Sequence, residues 1–121
     1  MTKYRIYYDD LNKKYNTTYG ELTNEGLIEM FKNIDTRDKT FYDLGSGKGS
    51  VVINAINNYP ELKKAIGIEY VKERHDEAIK RKYEMKDSDK INFMQGDFTS
   101  NDFNISDADL IYISNLCLSE K

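Results

Sequence analysis

The fold is decided by the stretch Phe41-Tyr-Asp-Leu-Gly-Ser-Gly-Lys-Gly-Ser-Val-Val52. It starts as a short apolar and aromatic run, continues as a glycine-rich turn, and ends where a helical pattern begins. Alternate glycines let the backbone turn sharply and approach a ligand without a Cβ in between. The amides that open the following helix would face that ligand. This order indicates a strand, a ligand-binding loop and a helix.

Strand-like and helix-like segments alternate along the rest of the chain. Strands are predicted at 40–44, 64–69, 91–95 and 110–114, and helices at 50–58 and 71–85. A further helix is predicted to follow Thr23 and Asn24, either of which could cap it, and its apolar spacing extends to Ile34. Such alternation implies parallel strands with helices packed on the sheet. We therefore predict an α/β, Rossmann-like, doubly wound parallel sheet. Its ligand site should lie at the carboxyl ends of the strands, near the point where strand order reverses.

Composition fits one soluble domain. The 121 residues are 39% hydrophobic and 32% charged, and a chain of this length forms a single core. The net charge of −3 argues against a general nucleic-acid binder. Cys117 is the single cysteine, which fits a reducing compartment. Without a signal peptide or membrane span, we expect an intracellular protein, nuclear or cytoplasmic. No metal site is predicted.

Three kinds of nucleotide-binding site contain a glycine-rich loop after a strand, and the residues of this loop match them to different extents. A phosphate-binding P-loop needs glycine where Tyr42 stands and Ser or Thr where Gly49 stands, so this motif fails. A dinucleotide fingerprint wants glycine or alanine where Ser50 stands, which disfavours NAD or FAD without eliminating them. An acid followed by alternating glycines is the pattern favoured by S-adenosylmethionine (SAM) dependent methyltransferases, here Asp43, Gly45, Gly47 and Gly49.

Two further acids end predicted strands. Glu69 lies twenty residues after Gly49, where a carboxylate accepts both hydroxyls of a ribose in nucleotide-binding folds. Asp97 closes the third predicted strand. The alternatives are a solvated strand-end acid for Glu69, a turn residue for Asp97, and purely structural glycines in the loop.

Separated segments together resemble the Dot1-type histone-lysine methyltransferases, a class I SAM-dependent family. The resemblance covers about residues 15–118 and rests on five segments: Tyr19-Gly-Glu-Leu-Thr23, the glycine loop, Gly67-Ile-Glu69, Gly96-Asp-Phe98 and Ile111-Tyr-Ile-Ser-Asn-Leu116. Leu22 interrupts the family's usual Glu-Thr pair, and Ser114 and Leu116 replace its Asn and Phe.

The resemblance implies SAM as cofactor, S-adenosylhomocysteine as product, and roles for particular residues. It implies catalytic roles for Asn115, nearest the transferred methyl group, and for Tyr19, which closes over the methionine end of SAM. It implies cofactor contacts for Tyr19, Glu21, Thr23, Asp43, Gly45, Ser46, Gly47, Gly49, Glu69, Asp97, Phe98 and Asn115. Residues 1–22 would form an arm with a loop that covers the cofactor, and residues 23–121 the SAM-binding domain.

The chain ends at Lys121, just after the fourth predicted strand, whereas the family's sheet continues for three more strands. We therefore expect a sheet truncated after that strand, in a fragment or a reduced protein. Its open edge could pair with a second copy. The implied activity is methyl transfer to a protein lysine, with histone or nucleosome as partner. Neither a membrane nor sequence-specific nucleic acid is expected as a partner. The alternatives are a non-histone or small-molecule acceptor, and a SAM-binding module without catalysis.

Overall fold

Five strands and three α-helices make up the described chain. The computed structural model describes the backbone of residues 5–8 and the whole of residues 22–113. In chain order the elements are β1 (Arg5–Tyr8), α1 (Asn24–Met30), β2 (Thr40–Leu44), α2 (Ser50–Asn58), β3 (Lys64–Glu69), α3 (Lys72–Lys82), a 3-10 turn (Ser88–Lys90), β4 (Ile91–Gln95) and β5 (Leu110–Ile113). The four predicted strands are confirmed, although Ser114 lies outside the described residues. The helix predicted over 71–85 is shorter, and α1 ends before Ile34.

All the strands are parallel and lie in the order β1-β5-β2-β3-β4. From β2 the chain moves outward through β3 to β4, then returns to place β5 on the other side of β2. Strand order therefore reverses between β2 and β5. Since ligands of open α/β sheets bind at the carboxyl ends beside such a reversal, the loop after β2 lies where the sequence predicts the site.

The first strand was not foreseen by the sequence pattern, which predicts residues 1–22 as an arm. β1 pairs along its whole length with β5, from Arg5 beside Leu110 to Tyr8 beside Ile113. The predicted open edge on the fourth predicted strand is therefore wrong, because β1 covers it. In the described sheet, β4 and β1 are the edges, so a dimer paired through an open sheet edge would use one of these strands rather than β5.

One face of the sheet carries all the described helices. Apolar side chains of α1, α2 and α3 pack there against alternate strand residues in one continuous core, formed among others by Leu27, Phe31, Phe41, Val52, Ile56, Ala65, Ala78, Ile91 and Phe93. Five of the nine residues of α2 are buried and belong to this core, as expected for a helix packed on a sheet. Phe31 packs edge-on against Phe41, with ring centroids 5.3 Å apart, so α1 is fixed directly to the central strand.

The opposite face is covered, within residues 22–113, by the segment 96–109. Its partly buried apolar side chains pack on Tyr42, Ile66 and Ile111 of the strands. The Tyr42 hydroxyl donates to the Asp107 carboxylate at 2.7 Å, and Lys64 pairs with the same carboxylate at 3.1 Å. Burial and this hydrogen bond raise the pKa of Tyr42. The Tyr42 hydrogen bond and then Lys64 lower the pKa of Asp107. This polar cluster anchors the segment to the sheet.

Candidate cofactor site at the carboxyl edge

The glycine loop after β2 has a backbone that only glycine adopts at low cost. Gly45, Gly47 and Gly49 all have positive φ, at 88°, 56° and 88°. The amides of Gly45 and Ser46 both donate to the Ile68 carbonyl, at 2.8 and 3.0 Å. The loop is therefore folded back over the end of β3, which places it beside the predicted ribose acid.

Glu69 contacts the loop directly. Its Oε1 accepts the Gly47 amide at 2.6 Å and its Oε2 accepts the Val71 amide at 2.9 Å. The residue is buried, with 2% of its surface exposed, and Arg74 approaches Oε2 to 4.0 Å. A buried carboxylate needs such partners to offset its lost hydration. The interpretation of Glu69 as a solvated strand-end acid is therefore wrong.

Gly49 and Gly67 are required by close packing. A Cβ on Gly49 would lie 2.5 Å from the Phe93 ring and 3.0 Å from the Ala78 Cβ. A Cβ on Gly67 would lie 2.6 Å from the buried Ser46 hydroxyl. By contrast, a Cβ on Gly47 would have no atom within 4 Å. Gly49 thus joins the loop to the core, whereas Gly47 borders open space that a ligand could fill.

Asp97, the third predicted acid, forms hydrogen bonds within a turn. Asp97 Oδ1 accepts both the amide and the hydroxyl of Thr99, at 2.9 and 2.6 Å. This is the local hydrogen-bonding pattern of an Asx turn, as the alternative interpretation anticipates. The Gly96 amide donates to the Glu69 carbonyl at 2.9 Å, which brings this turn beside the ribose acid. Phe98 is partly buried against the second core.

Asp43 lies inside β2, 1% exposed, directly before the loop. The structure therefore gathers the predicted residues of β2, β3 and β4 at one edge of the sheet: Asp43, Gly45, Ser46, Gly47, Gly49, Glu69, Asp97 and Phe98. The predicted residues Tyr19, Glu21 and Asn115 lie outside the described residues.

Thr23 is not brought to this edge. Its hydroxyl accepts the Gly26 amide at 3.1 Å as the N-cap of α1. The neighbouring Asn24 accepts a hydrogen bond from Asn58 at 2.6 Å. Asn58 ends α2, about 12 Å along the helix axis from its first residue at the glycine loop. Thr23 is therefore a helix cap, one of the two residues predicted to cap the first helix, and its neighbour Asn24 is bonded to the end of α2 opposite the loop.

Sequence reasoning missed Arg81. Its guanidinium Nη1 donates to the Lys48 carbonyl and the Ser50 hydroxyl, both at 3.0 Å. The charged helix that carries it suggests only a solvated face. Arg81 follows the buried Ala78 by three residues, and residues so spaced share one side of a helix. That spacing was the available signal.

A cavity of about 510 Å³ lies elsewhere. It is lined by residues of α1 and of the segments before β2 and β3, among them Ile28, Thr36, Tyr59 and Glu61. Thr36 and Glu61 precede their strands, so this cavity opens at the amino edge. Its lining shares no residue with the glycine-loop site.

Comparison with known proteins was decisive for the family. Residues 7–121 match the family described as histone methylation protein DOT1. The chain belongs to the DOT1 family. The histone-lysine N-methyltransferase of Drosophila melanogaster, described as H3 lysine-79 specific, is 34% identical over an alignment of 109 residues, with 80% of this chain covered. The chain spans only 6% of the length of that DOT1 relative.

Solved structures show the same fold. An RNA methyltransferase from Salinibacter ruber, in complex with S-adenosyl-L-homocysteine, superposes with a TM-score of 0.63 at 30% identity, covering 72% of this chain and 55% of the other. The YcgJ protein of Bacillus subtilis gives a TM-score of 0.60 at 26% identity, covering 72% and 36%. This DOT1-family chain therefore has the Rossmann-like fold of the class I methyltransferases.

The described residues contain neither a cluster of metal ligands nor a helix that could span a membrane. No group of three or more His, Cys, Asp and Glu side chains in this part of the chain is placed to hold a metal ion. Among the helices that the structure describes, none has the length and apolar character needed to cross a bilayer.

Proposed function

We propose that the chain binds SAM at the carboxyl edge of β2, β3 and β4 and belongs to a protein-lysine methyltransferase. The observation that carries this proposal is the direct hydrogen bond between Glu69 and the glycine loop. It brings together the two features that distinguish a nucleoside site, a carboxylate for ribose hydroxyls and a loop without Cβ atoms. The DOT1 family match supports the choice of cofactor.

The hydrogen-bonding capacity of Glu69 fits a ribose. Each carboxylate oxygen has two lone-pair sites, and each accepts one backbone amide, from Gly47 and Val71. One site per oxygen is left for a hydroxyl. Because Glu69 is 2% exposed, the groups that cover it must move before a ribose can reach these sites. We therefore expect cofactor binding to include a local opening step.

The remaining proposed cofactor contacts lie along the carboxyl edge of the sheet. The open space at Gly47 would admit the cofactor against the loop, with Gly45, Ser46 and Gly49 holding the loop in shape and Asp43 supporting it from β2. Phe98 and Asp97 would contact the adenine. By resemblance to the family, the loop of Tyr19 and Glu21 would lie over the methionine end of SAM, and Asn115 would lie near the methyl group.

Bound SAM supplies an electrophilic methyl group on a sulfonium. The acceptor nitrogen forms the new N–C bond as the S–C bond breaks, which leaves S-adenosylhomocysteine. A free lysine has a pKa of about 10.4, so its ammonium must lose a proton to solvent before attack. A narrow apolar channel would favour the neutral amine by desolvation. The protein would then contribute mainly positioning, up to roughly 7–11 kcal/mol in favourable cases.

The binding half of this proposal is tested by calorimetric titration of SAM into the full chain. Wild-type protein should bind, and Glu69→Ala should lose at least tenfold in affinity while retaining its far-UV circular dichroism. Glu77→Ala, an exposed acid on α3, is the matched control and should bind like wild type. Equal affinity of the Glu69 variant and wild type for SAM would refute the assignment of Glu69 to the ribose hydroxyls.

The transfer half is tested with radiolabelled SAM and nucleosomes containing histone H3. A full-length DOT1-family protein that carries this segment should label the histone, and its Asn115→Ala variant should not. A net charge of −3 favours a second candidate, transfer to a non-histone protein or small molecule, because nucleosomal DNA repels an acidic surface. A screen against free histones, nucleosomes and other acceptors separates these two. SAM binding without turnover on any acceptor would instead support a binding module.

With a histone or nucleosome as partner, the protein would act in the nucleus. Contacts with nucleosomal DNA would then be non-specific. Self-association stays open to test by sedimentation, with the edges of β1 and β4 rather than that of β5 available for pairing.

A further inference from the structure

We propose that Arg81 of α3 is a positioning residue that holds the glycine loop in the shape required by the cofactor. This inference rests on the proposed SAM site and adds a residue to its support. Arg81 donates from one nitrogen, Nη1, to both the Lys48 carbonyl and the Ser50 hydroxyl, at 3.0 Å each. These two acceptors flank Gly49, the N-cap of α2.

The loop needs an external support at this point. Gly49 has φ of 88° and provides no side-chain cap to the first turn of α2. On the other side of the loop, Gly45 and Ser46 are held by β3 and Gly47 by Glu69. At the end that joins the helix, the Gly49 amide donates within the loop to the Ser46 carbonyl at 3.0 Å. Arg81, 33 positions from Lys48 in the chain, adds hydrogen bonds from outside the loop to a carbonyl and a hydroxyl oxygen.

The helix α3 supports this end of the loop in two ways. Ala78 lies against the Gly49 backbone, since its Cβ would be 3.0 Å from a Cβ there. Arg81, three residues later on the same side of the helix, adds the hydrogen bonds. Hydrogen bonds from an ionised donor are stronger than neutral ones. The contact between Ala78 and Gly49 therefore fixes the distance between the loop and α3. The hydrogen bonds of the Arg81 guanidinium restrict the motion of the loop.

The test compares four full-length versions of the chain: wild type, Arg81→Met, Arg81→Lys and the control Lys80→Met. Methionine keeps most of the aliphatic stem but removes the donors, whereas lysine keeps a charged donor. Lys80 is exposed and lies in the same last turn of α3, so its variant matches the loss of helix-end charge. Each protein is titrated with SAM, and amide hydrogen exchange of Gly47 and Gly49 is measured without cofactor.

Arg81→Met should raise the Kd for SAM about tenfold, the size expected from losing a charge-assisted hydrogen bond, and should speed exchange of both amides by a similar factor. Arg81→Lys should recover part of both effects, and Lys80→Met should behave like wild type. Unchanged exchange in Arg81→Met, or a Kd within twofold of wild type, would overturn the proposal. If wild-type protein fails to bind SAM, the proposed function fails, and exchange alone decides whether Arg81 holds the loop.

A double-mutant cycle distinguishes loss of the Arg81 contact from a general destabilisation of the fold. Ser50→Ala removes one of the two acceptors without touching α3. If Arg81 acts on the loop, the effects of Arg81→Met and Ser50→Ala on exchange should be less than additive, because both remove the same contact. Strict additivity of two measurable effects would show that Arg81 does not act through the Ser50 hydroxyl, which would overturn that contact as part of the proposed support.

Discussion

Replacing Gly49 by alanine should destabilise the fold far more than the same change at Gly47. Both glycines have positive φ, so both changes carry a backbone cost of roughly 1–2 kcal/mol. Alanine also restricts the unfolded chain, which offsets roughly 0.4–1 kcal/mol. Only at Gly49 does the new Cβ collide, at 2.5 Å from the Phe93 ring. Overpacking of this kind costs roughly 1–3 kcal/mol more.

The expected losses in the free energy of unfolding are therefore roughly 2–4 kcal/mol for Gly49→Ala and about 1 kcal/mol for Gly47→Ala. Urea denaturation of both variants and wild type measures them, with the m-value checking that unfolding stays two-state. Phe93→Leu in the Gly49→Ala background should recover part of the loss, since it removes the colliding ring atoms. Losses that agree within about 0.5 kcal/mol for the two glycine variants would refute the packing explanation.

The other two predictions concern groups away from the loop. Thr23→Ala removes the acceptor of the Gly26 amide and should cost about 1 kcal/mol of unfolding free energy while leaving SAM affinity unchanged. A higher Kd for SAM in the Thr23→Ala variant, measured at the same folded fraction as wild type, would instead assign Thr23 to the cofactor site. The lowered pKa of Asp107 means that its carboxylate stabilises the fold above about pH 4, the unfolded pKa, and that this stabilisation disappears as pH falls further. Urea denaturation between pH 3 and 6 should show a smaller acid-induced loss for Asp107→Asn than for wild type, whereas parallel curves would exclude this pair with Tyr42 as a source of acid sensitivity.

Much of the fold follows from local pattern. The strand 40–44 and the helix Ser50–Asn58 are predicted with their observed bounds because a glycine loop and a helix-stopping Pro60 delimit them. Buried strands of a parallel sheet read as continuous apolar runs, and β3 is such a run. The helix α3 was predicted too long, since Tyr83 continues its apolar spacing but is 74% exposed.

The features that the sequence did not predict, β1 and the contacts of Arg81, depend on tertiary structure. β1 has four residues and no alternation of apolar and polar side chains, so its strand state depends on pairing with β5. The support given by Arg81 is likewise hard to predict in a lysine- and glutamate-rich helix, where the spacing of three residues from Ala78 is the available signal. Within the site, the positions of Gly49 and Glu69 follow from spacing. The turn at Asp97 does not, because an acid after a strand serves a ligand or its own turn equally well.

The central position of β2 has a consequence for synthesis of the chain. β2 pairs with β3, made soon afterwards, and with β5, whose partner residues lie 69 positions later. At translation rates of about 5–20 residues per second, that interval lasts roughly 3–14 s. During this time one side of the innermost strand has its amides and carbonyls unpaired, open to water or to a chaperone. Conditions that slow elongation between residues 44 and 110 should therefore lengthen the period in which a nascent chain is prone to aggregate.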